Sequence, residues 1–578
     1  MACQFNNSKG SQEIKDISSN IKLSDDLMFN EVLSRKFWNC PFTFIKKPLT
    51  QWHLSESEIR KIVDAMIPSR CTPLICSDAS GDYRLPAGLT YIGQIVTHDI
   101  ISDSEKGGRE ALSGLNLDSI FPKIDVHENL TKWPINNIVD QDGRFILVEY
   151  SKTRTETFFD FPREHCPHSM SDTAMVPDDR NDQNILVSQL VIMLMRLHNQ
   201  FINELIKSDS NLIKQKEKNF SIARTAVTLL FQRIVIEEYL ATLTVPHIYE
   251  HYSRASKPLF SSKKQEFEVP LEFSHSVFRF GHTMIRQSYR LKKGMVDLGE
   301  LFNKRKKLAI DHRVDWCLFF PPIPQDLSIR PLHDHSPKLK PPNFNDASAL
   351  GVNIAGDLRR VSVIKKLRYL NFSPAFPAIK LRDYMFGIDM IKRSKRVENF
   401  KNIVFEDLKS SRKVPIAGDI IEALNFENCF GKSSHSWLKI SNFPKINSYR
   451  SKTNFKEHNK PAWKKIFVKR KTLFGWGGEE TFSLDNAPLW LFILREAEAY
   501  PEESEENYKL GHLGSLVISE IIHGAIGAAK KNIWNVDVET EFMGAKKLYV
   551  ELCEKPSMYT LISKVISLEN NNGRKRLV

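Results

Sequence analysis

Leu85-Pro86-Ala87-Gly88-Leu89-Thr90-Tyr91-Ile92-Gly93-Gln94-Ile95-Val96-Thr97-His98-Asp99-Ile100 sets a glutamine four residues before a histidine in an otherwise apolar run. On a helix, residues four apart share a face, so Gln94 and His98 can point into one cavity. A single histidine on an apolar helix is more often a satisfied core residue than a working one, so the pair alone decides little. Two later segments change the balance. Asp178-Asp179-Arg180-Asn181-Asp182-Gln183-Asn184 leads into the apolar, helix-patterned run Arg180 to Leu205, and Phe278-Arg279-Phe280-Gly281-His282-Thr283-Met284-Ile285-Arg286 carries a second histidine in an amphipathic setting.

Taken in chain order, these segments resemble the distal histidine, the catalytic arginine and the proximal histidine of the animal-type haem peroxidases, the peroxidase–cyclooxygenase superfamily, and most of all its bacterial branch. The resemblance runs over roughly residues 60 to 535. It includes an Arg-x-His-Asn step at Arg196-Leu197-His198-Asn199 and two closing helices, Ala487 to Glu498 and Leu513 to Glu520. It implies a mainly α, animal haem peroxidase-like helical fold with few short strands. It also implies a catalytic domain over 61–535, with an N-terminal arm over 1–60, a basic insertion over 432–478 and a C-terminal extension over 536–578.

The residue pattern along the chain agrees with a helical reading. Ile222 to Leu243 and Leu516 to Ala529 space their apolar residues at three and four, whereas strand-like alternation is short and rare, as in Arg144 to Glu149. Proline-rich Phe319 to Pro342 cannot continue a helix and reads as a loop. The length of 578 residues and a hydrophobic content of 41% suit a large folded unit. No run of about 18 apolar residues stands ready to span a bilayer; the longest candidate, Ile185 to Leu197, is interrupted by Ser188, Gln189 and Arg196.

The start of the chain lacks the basic and then apolar pattern of a secretory signal, and the 8 cysteines are scattered. Both features point to reduced thiols and a cytoplasmic setting, with secretion by a route lacking a cleaved signal left open. The formal charge of +13 is concentrated in a stretch from Lys432 to Lys471 that interleaves Lys and Arg with Trp, Phe and Tyr. No recognisable nucleic-acid module surrounds it, so it reads as a solvated insertion and no nucleic-acid partner is expected.

Peroxide cleavage at haem needs a base that carries a proton from one peroxide oxygen to the other. It also needs a cation for the charge developing on the leaving oxygen, and a ligand that pushes electron density onto iron. An imidazole suits the first task, and the resemblance assigns it to His98, with Gln94 holding a distal water or halide. Arg180, permanently charged and with a fork of donors, would take the second. Its bland alternative is a helix-start arginine in a capping cluster. His282 would be the haem iron's axial ligand.

The acceptor for His282's other ring nitrogen would be Asp383, where the bacterial branch has asparagine; a register shift of three residues puts Lys380 there instead, and an ordinary surface aspartate is an equal reading. Arg279 matches a position used near a haem propionate. Cyclooxygenase and fatty-acid dioxygenase branches carry a radical-forming tyrosine at that place, so its absence disfavours lipid chemistry. Phe386 replaces an expected propionate-binding arginine. Thr97 and Gln183 stand where vertebrate members form haem esters, so haem b should be held without covalent bonds.

Calcium is the second expected cofactor, with Asp99, Asn116 and Asp118 as oxygen donors. Leu112 stands where a threonine ligand is expected, so a weakened or empty site is as open a reading as an occupied one. The function implied is reduction of hydrogen peroxide with oxidation of small electron donors. The alternatives are a peroxidase-fold binding or regulatory protein with weakened turnover, and a lipid-directed haem oxygenase.

Overall fold

Helices dominate wherever apolar residues recur every three or four positions, and the described strands are short and paired two by two. The computed structural model describes residues 81–101, 114–123, 133–153, 156–166, 171–254, 277–286, 288–301, 307–322, 345–348 and 509–575, with the single residues 269, 273, 350, 493, 494 and 497. Asp383, Lys380, Phe386, Leu112, the arm over 1–60 and the basic stretch 432–471 lie outside them.

Strand β1 (Gly81–Pro86) runs into helix α1 (Gly88–Ile100), which carries Gln94 and His98. The hairpins β2 (Val148–Lys152) with β3 (Thr157–Asp160), and β4 (Arg163–Cys166) with β5 (Ser171–Ala174), are antiparallel pairs. A 3₁₀ turn over Asp179–Asp182 then feeds helix α2 (Ile185–Ser208). Helix α3 (Lys216–Ile234) continues through a π-helical stretch, Val235–Leu240, and is followed by α4 (Pro246–Arg254). His282 lies on a 3₁₀ segment, Val277–Met284, followed by the hairpin β6 (Ser288–Arg290) and β7 (Met295–Asp297). Strand β8 (Asp346–Ser348) pairs antiparallel with β1. Helices α5 (His512–Ala528), α6 (Lys546–Cys553) and α7 (Met558–Lys575) close the chain.

Helix α2 is the centre of the core. Asn184 caps it, its side chain accepting from the Leu186 N–H at 2.8 Å. From Ile185 to Phe201 nearly every side chain is buried, at about 1.5–3 kcal/mol for each large apolar one. This helix is long and apolar enough to cross a membrane by composition, but 94% of that window is inside the protein, as expected of a core helix. Helices α1, α3 and α7 all pack against it.

The C-terminal residues read as an extension form part of this same core. Leu548, Leu552, Met558, Leu561 and Val565 are buried with it, and Arg196 of α2 makes a two-pronged bond to Glu569 of α7 at 3.0 and 2.5 Å. The Arg-x-His-Asn step is structural here. His198 is fully buried among Phe121, Phe145 and Phe220, with ring centroids 5.4, 5.0 and 4.8 Å away, and burial pushes its imidazole down to about 3. Asn199 exchanges two bonds with the Phe145 backbone, at 2.8 and 2.9 Å.

A candidate haem peroxidase site

Both ends of α1 are held by distant backbone. At its start, where the first N–H groups lack partners within the helix, Gly88 N–H donates to Phe319 O at 3.1 Å and Ala87 N–H to Asn345 O at 2.9 Å. In its middle, a Cβ added at Gly93 would stand 2.6 Å from the Tyr239 hydroxyl, so only glycine lets the π-helical stretch approach the turn that carries Gln94. At its end, Arg180 Nη2 donates to His98 O at 2.7 Å and Nη1 to Ile101 O at 2.9 Å. Tyr239 itself is buried, which pushes its phenol far up.

His98 is 7% exposed and its Nδ1 lies 2.8 Å from Asn181 Oδ1. The direction of that bond is fixed by the other end of the amide. Asn181 Nδ2 donates to the Ser119 carbonyl at 2.8 Å, and a carbonyl can only accept, so Oδ1 must face His98 and His98 Nδ1 must donate. The neutral imidazole therefore carries its proton on Nδ1 and its basic lone pair on Nε2. Asn181 is fully buried, which keeps the relay out of competing water.

One residue further, Asp99 is 1% exposed and takes Leu117 N–H on Oδ2 at 2.7 Å and Ser119 N–H on Oδ1 at 3.0 Å. Burial pushes its carboxyl up to about 7, with those N–H groups pulling against the rise and Asp118's charge adding to it. Asp99 thus anchors the loop whose carbonyl orients Asn181, and the loop and α1 define His98 together.

Arg180 is placed differently from the sequence expectation. Its Nε lies 3.0 Å from both oxygens of Asp178, Nη2 lies 2.5 Å from Asp178 Oδ2, and the remaining bonds go to the carbonyls at the end of α1. Burial would raise the Asp178 carboxyl, but the Arg180 hydrogen bonds and charge outweigh it and hold it below the usual range. The guanidinium stands one helix-end from His98 as a clamp on backbone, as the capping alternative anticipates.

His282 is half-buried on the Val277–Met284 segment, and that segment packs against α1, so the two histidines sit on touching elements. A Cβ at Gly281 would meet no described atom within 4 Å, leaving space beside the histidine. Arg279 lies on the same segment. Histidines on two touching elements, with no described atom within 4 Å of a Cβ at Gly281, would suit a haem held between them. Of the two ester positions, Thr97 folds its hydroxyl back onto Gly93 O at 2.8 Å and Gln183 is exposed.

The calcium donors are not brought together as an open oxygen set. Asp99 is taken by backbone N–H groups, Asn116 Oδ1 accepts from Lys530 N–H at 3.2 Å, and Asp118 Oδ1 accepts from Arg224 Nη2 at 2.6 Å. Among the described residues no group of three or more His, Cys, Asp or Glu side chains could hold a metal ion.

Residues 139–318 match the family model of animal haem peroxidase, a span that includes Arg180, Arg279 and His282. Among solved structures, this chain is 13% identical to peroxidase A from Dictyostelium discoideum, with a TM-score of 0.48 over 90% of this chain and 92% of that one. It is 10% identical to the Oryza sativa fatty acid alpha-dioxygenase, with a TM-score of 0.42 over 90% of this chain and 82% of that one. No curated protein matches the sequence.

Asn181 and Ser119 were not among the residues singled out from sequence. Asn181 follows Arg180 directly, but a linear sequence does not say which polar group of an Asp-Arg-Asn-Asp cluster turns toward a helix 83 positions earlier.

Proposed function

We propose that this chain is a haem-dependent peroxidase that reduces hydrogen peroxide and oxidises small electron donors, with His98 as the distal base and His282 as the axial ligand. The observation that carries the reading is the Ser119–Asn181–His98 relay, because it commits His98 to the tautomer a proton carrier needs. Bound haem b, held without covalent bonds, would supply the iron at which the peroxide O–O bond is broken.

With haem bound, His98 Nε2 would take a proton from one peroxide oxygen and return it to the other, and Asn181 would keep the ring from rotating or changing tautomer between those two events. Asn181 accepts from Nδ1–H throughout, so a positive charge passing over the imidazole is stabilised by an oxygen already in place. Gln94, one turn before His98 and half-buried, would hold a distal water or halide beside it. Arg180 acts through backbone: by clamping His98 O and Ile101 O it fixes the last turn of α1 and the angle at which His98 leaves it.

One observation favours a second reading, a peroxidase-fold protein with weakened turnover. The Arg180 guanidinium, the charge expected to meet the departing oxygen, is spent on Asp178 and on helix-end carbonyls. Reconstitution of the purified chain with haem separates the two. A Soret band together with donor oxidation on adding peroxide supports the enzyme, whereas a Soret band without turnover supports the binding protein, and no Soret band contradicts both.

A further inference from the structure

Animal haem peroxidases are expected to use a calcium ion to tie the residue after the distal histidine to the loop that follows. In this chain protein groups reach the corresponding loop, Gly114–Phe121, from both sides. Its entry is set by backbone: Gly114 has φ +103°, a value that disfavours any other residue, and a Cβ there would stand 2.3 Å from Ala525 O. Leu115 N–H donates to that same carbonyl at 2.9 Å. Leu117 takes a left-handed φ of +58°, which turns its N–H onto Asp99.

The other side of the loop faces a polar stripe on α3. Arg224, Thr228 and Gln232 are spaced by four and share one face of a helix whose neighbouring positions are buried and apolar. Gln232 Nε2 donates to Leu115 O at 2.9 Å, Thr228 Oγ1 to Asn116 O at 3.4 Å, and Arg224 Nη2 to Asn116 O at 3.3 Å and to Asp118 Oδ1 at 2.6 Å. The Arg224 guanidinium also lies 5.6 Å from the centre of the Phe121 ring, so one cation meets a carboxylate, a carbonyl and an aromatic face at once.

A hard divalent cation would need six to eight oxygens turned inward with lone pairs available. Here the oxygens of Asp99, Asn116 and Asp118 already receive N–H donors, and the donor that reaches Asp118 carries its own positive charge. We infer that Arg224 takes the place of the calcium ion: the chain supplies the cation of this loop from α3 and holds the loop without a metal. The consequence extends to the site, because Ser119 in this loop orients Asn181 and Asn181 orients His98. Arg224 is thus a positioning residue for His98, working through the loop backbone.

The test uses the full chain and needs no haem for its first readout. Wild-type protein should melt at the same temperature in EDTA and in millimolar calcium chloride, and titration calorimetry with calcium chloride should show no binding heat. Arg224→Met should lower the melting temperature, and after haem loading should slow the peroxide reaction, while Arg224→Lys, which keeps a cation on a long stem, should recover most of both. If Arg224→Met does not accumulate as folded protein, Arg224→Gln keeps hydrogen-bond donors near Asn116 O and removes the charge, and it should also melt below wild type. A wild-type protein that binds calcium stoichiometrically and melts lower in EDTA overturns the inference. So does an Arg224→Gln variant as stable as wild type.

Discussion

The two histidines stand in contrasting surroundings. His98 sits on a four-turn helix tied at both ends and is fixed through a fully buried amide, whereas His282 sits half-exposed on a short 3₁₀ segment with no described atom close to its neighbour Gly281. Proton transfer demands an orientation held to within a hydrogen bond, and that needs a dense polar network in a dry interior. Ligation demands a nitrogen within reach of a group that brings much of its own order when it binds. The difference between the two regions is one of constraint: a buried amide fixes His98, whereas His282 stands half-exposed on the Val277–Met284 segment.

Breaking the ligand side should have the largest effect. His282→Ala should abolish stable haem binding, read as loss of the Soret band after reconstitution, with little change in the apoprotein's melting temperature because the side chain is only half-buried. A variant that keeps the wild-type Soret band contradicts the assignment.

Breaking the relay should leave haem in place and slow the chemistry. Asn181→Leu keeps the size of the side chain but removes the acceptor for His98 and orphans the Ser119 carbonyl, which should cost about 1–3 kcal/mol of stability and slow the peroxide reaction by up to about 10²-fold as His98 loses its fixed tautomer. An unchanged rate would mean that the tautomer of His98 does not matter to the reaction.

The smallest effect sharpens the comparison through pH. Asp99's carboxyl is pushed up to about 7 in the fold, against an ordinary 3.8. Between those values the unfolded chain releases this proton while the folded chain keeps it, so this group's contribution to stability falls as pH rises from about 4 to 7 and levels off above. The size is on the order of a few kcal/mol, at about 1.4 per unit. Asp99→Asn, which does not titrate, should show a smaller loss between pH 5 and pH 8 in denaturant melts. An equal loss in both proteins would remove Asp99 as its source.

Much of this was legible in the sequence, for identifiable reasons. The core helix α2 announces itself by being apolar on all faces, and the regions around His98, Arg180 and His282 by family-like order. Periodicity also foretold α3 and α5. What was not legible depends on which partner a polar group chooses once the chain is folded. Arg180, beside the other motifs, reads as a charge aimed into a cavity with a helix-capping arginine as its alternative, and its bonds to Asp178, His98 O and Ile101 O are visible only in the fold. Asp99, Asn116 and Asp118 read as an oxygen set until Arg224, more than 100 residues on, is seen beside Asp118. The C-terminal residues look like an extension because their apolar positions are sparse, yet they are enough to cover α2 and α3.

The most direct test of the central claim is a stopped-flow comparison of haem-loaded wild type and His98→Ala mixed with hydrogen peroxide. The account predicts equal haem content in the two proteins and a peroxide reaction slower by about 10² to 10⁴ in the variant, the loss expected when a positioned base is removed. Equal rates with equal haem would contradict it, because the relay through Ser119 and Asn181 would then be holding a histidine that moves no proton.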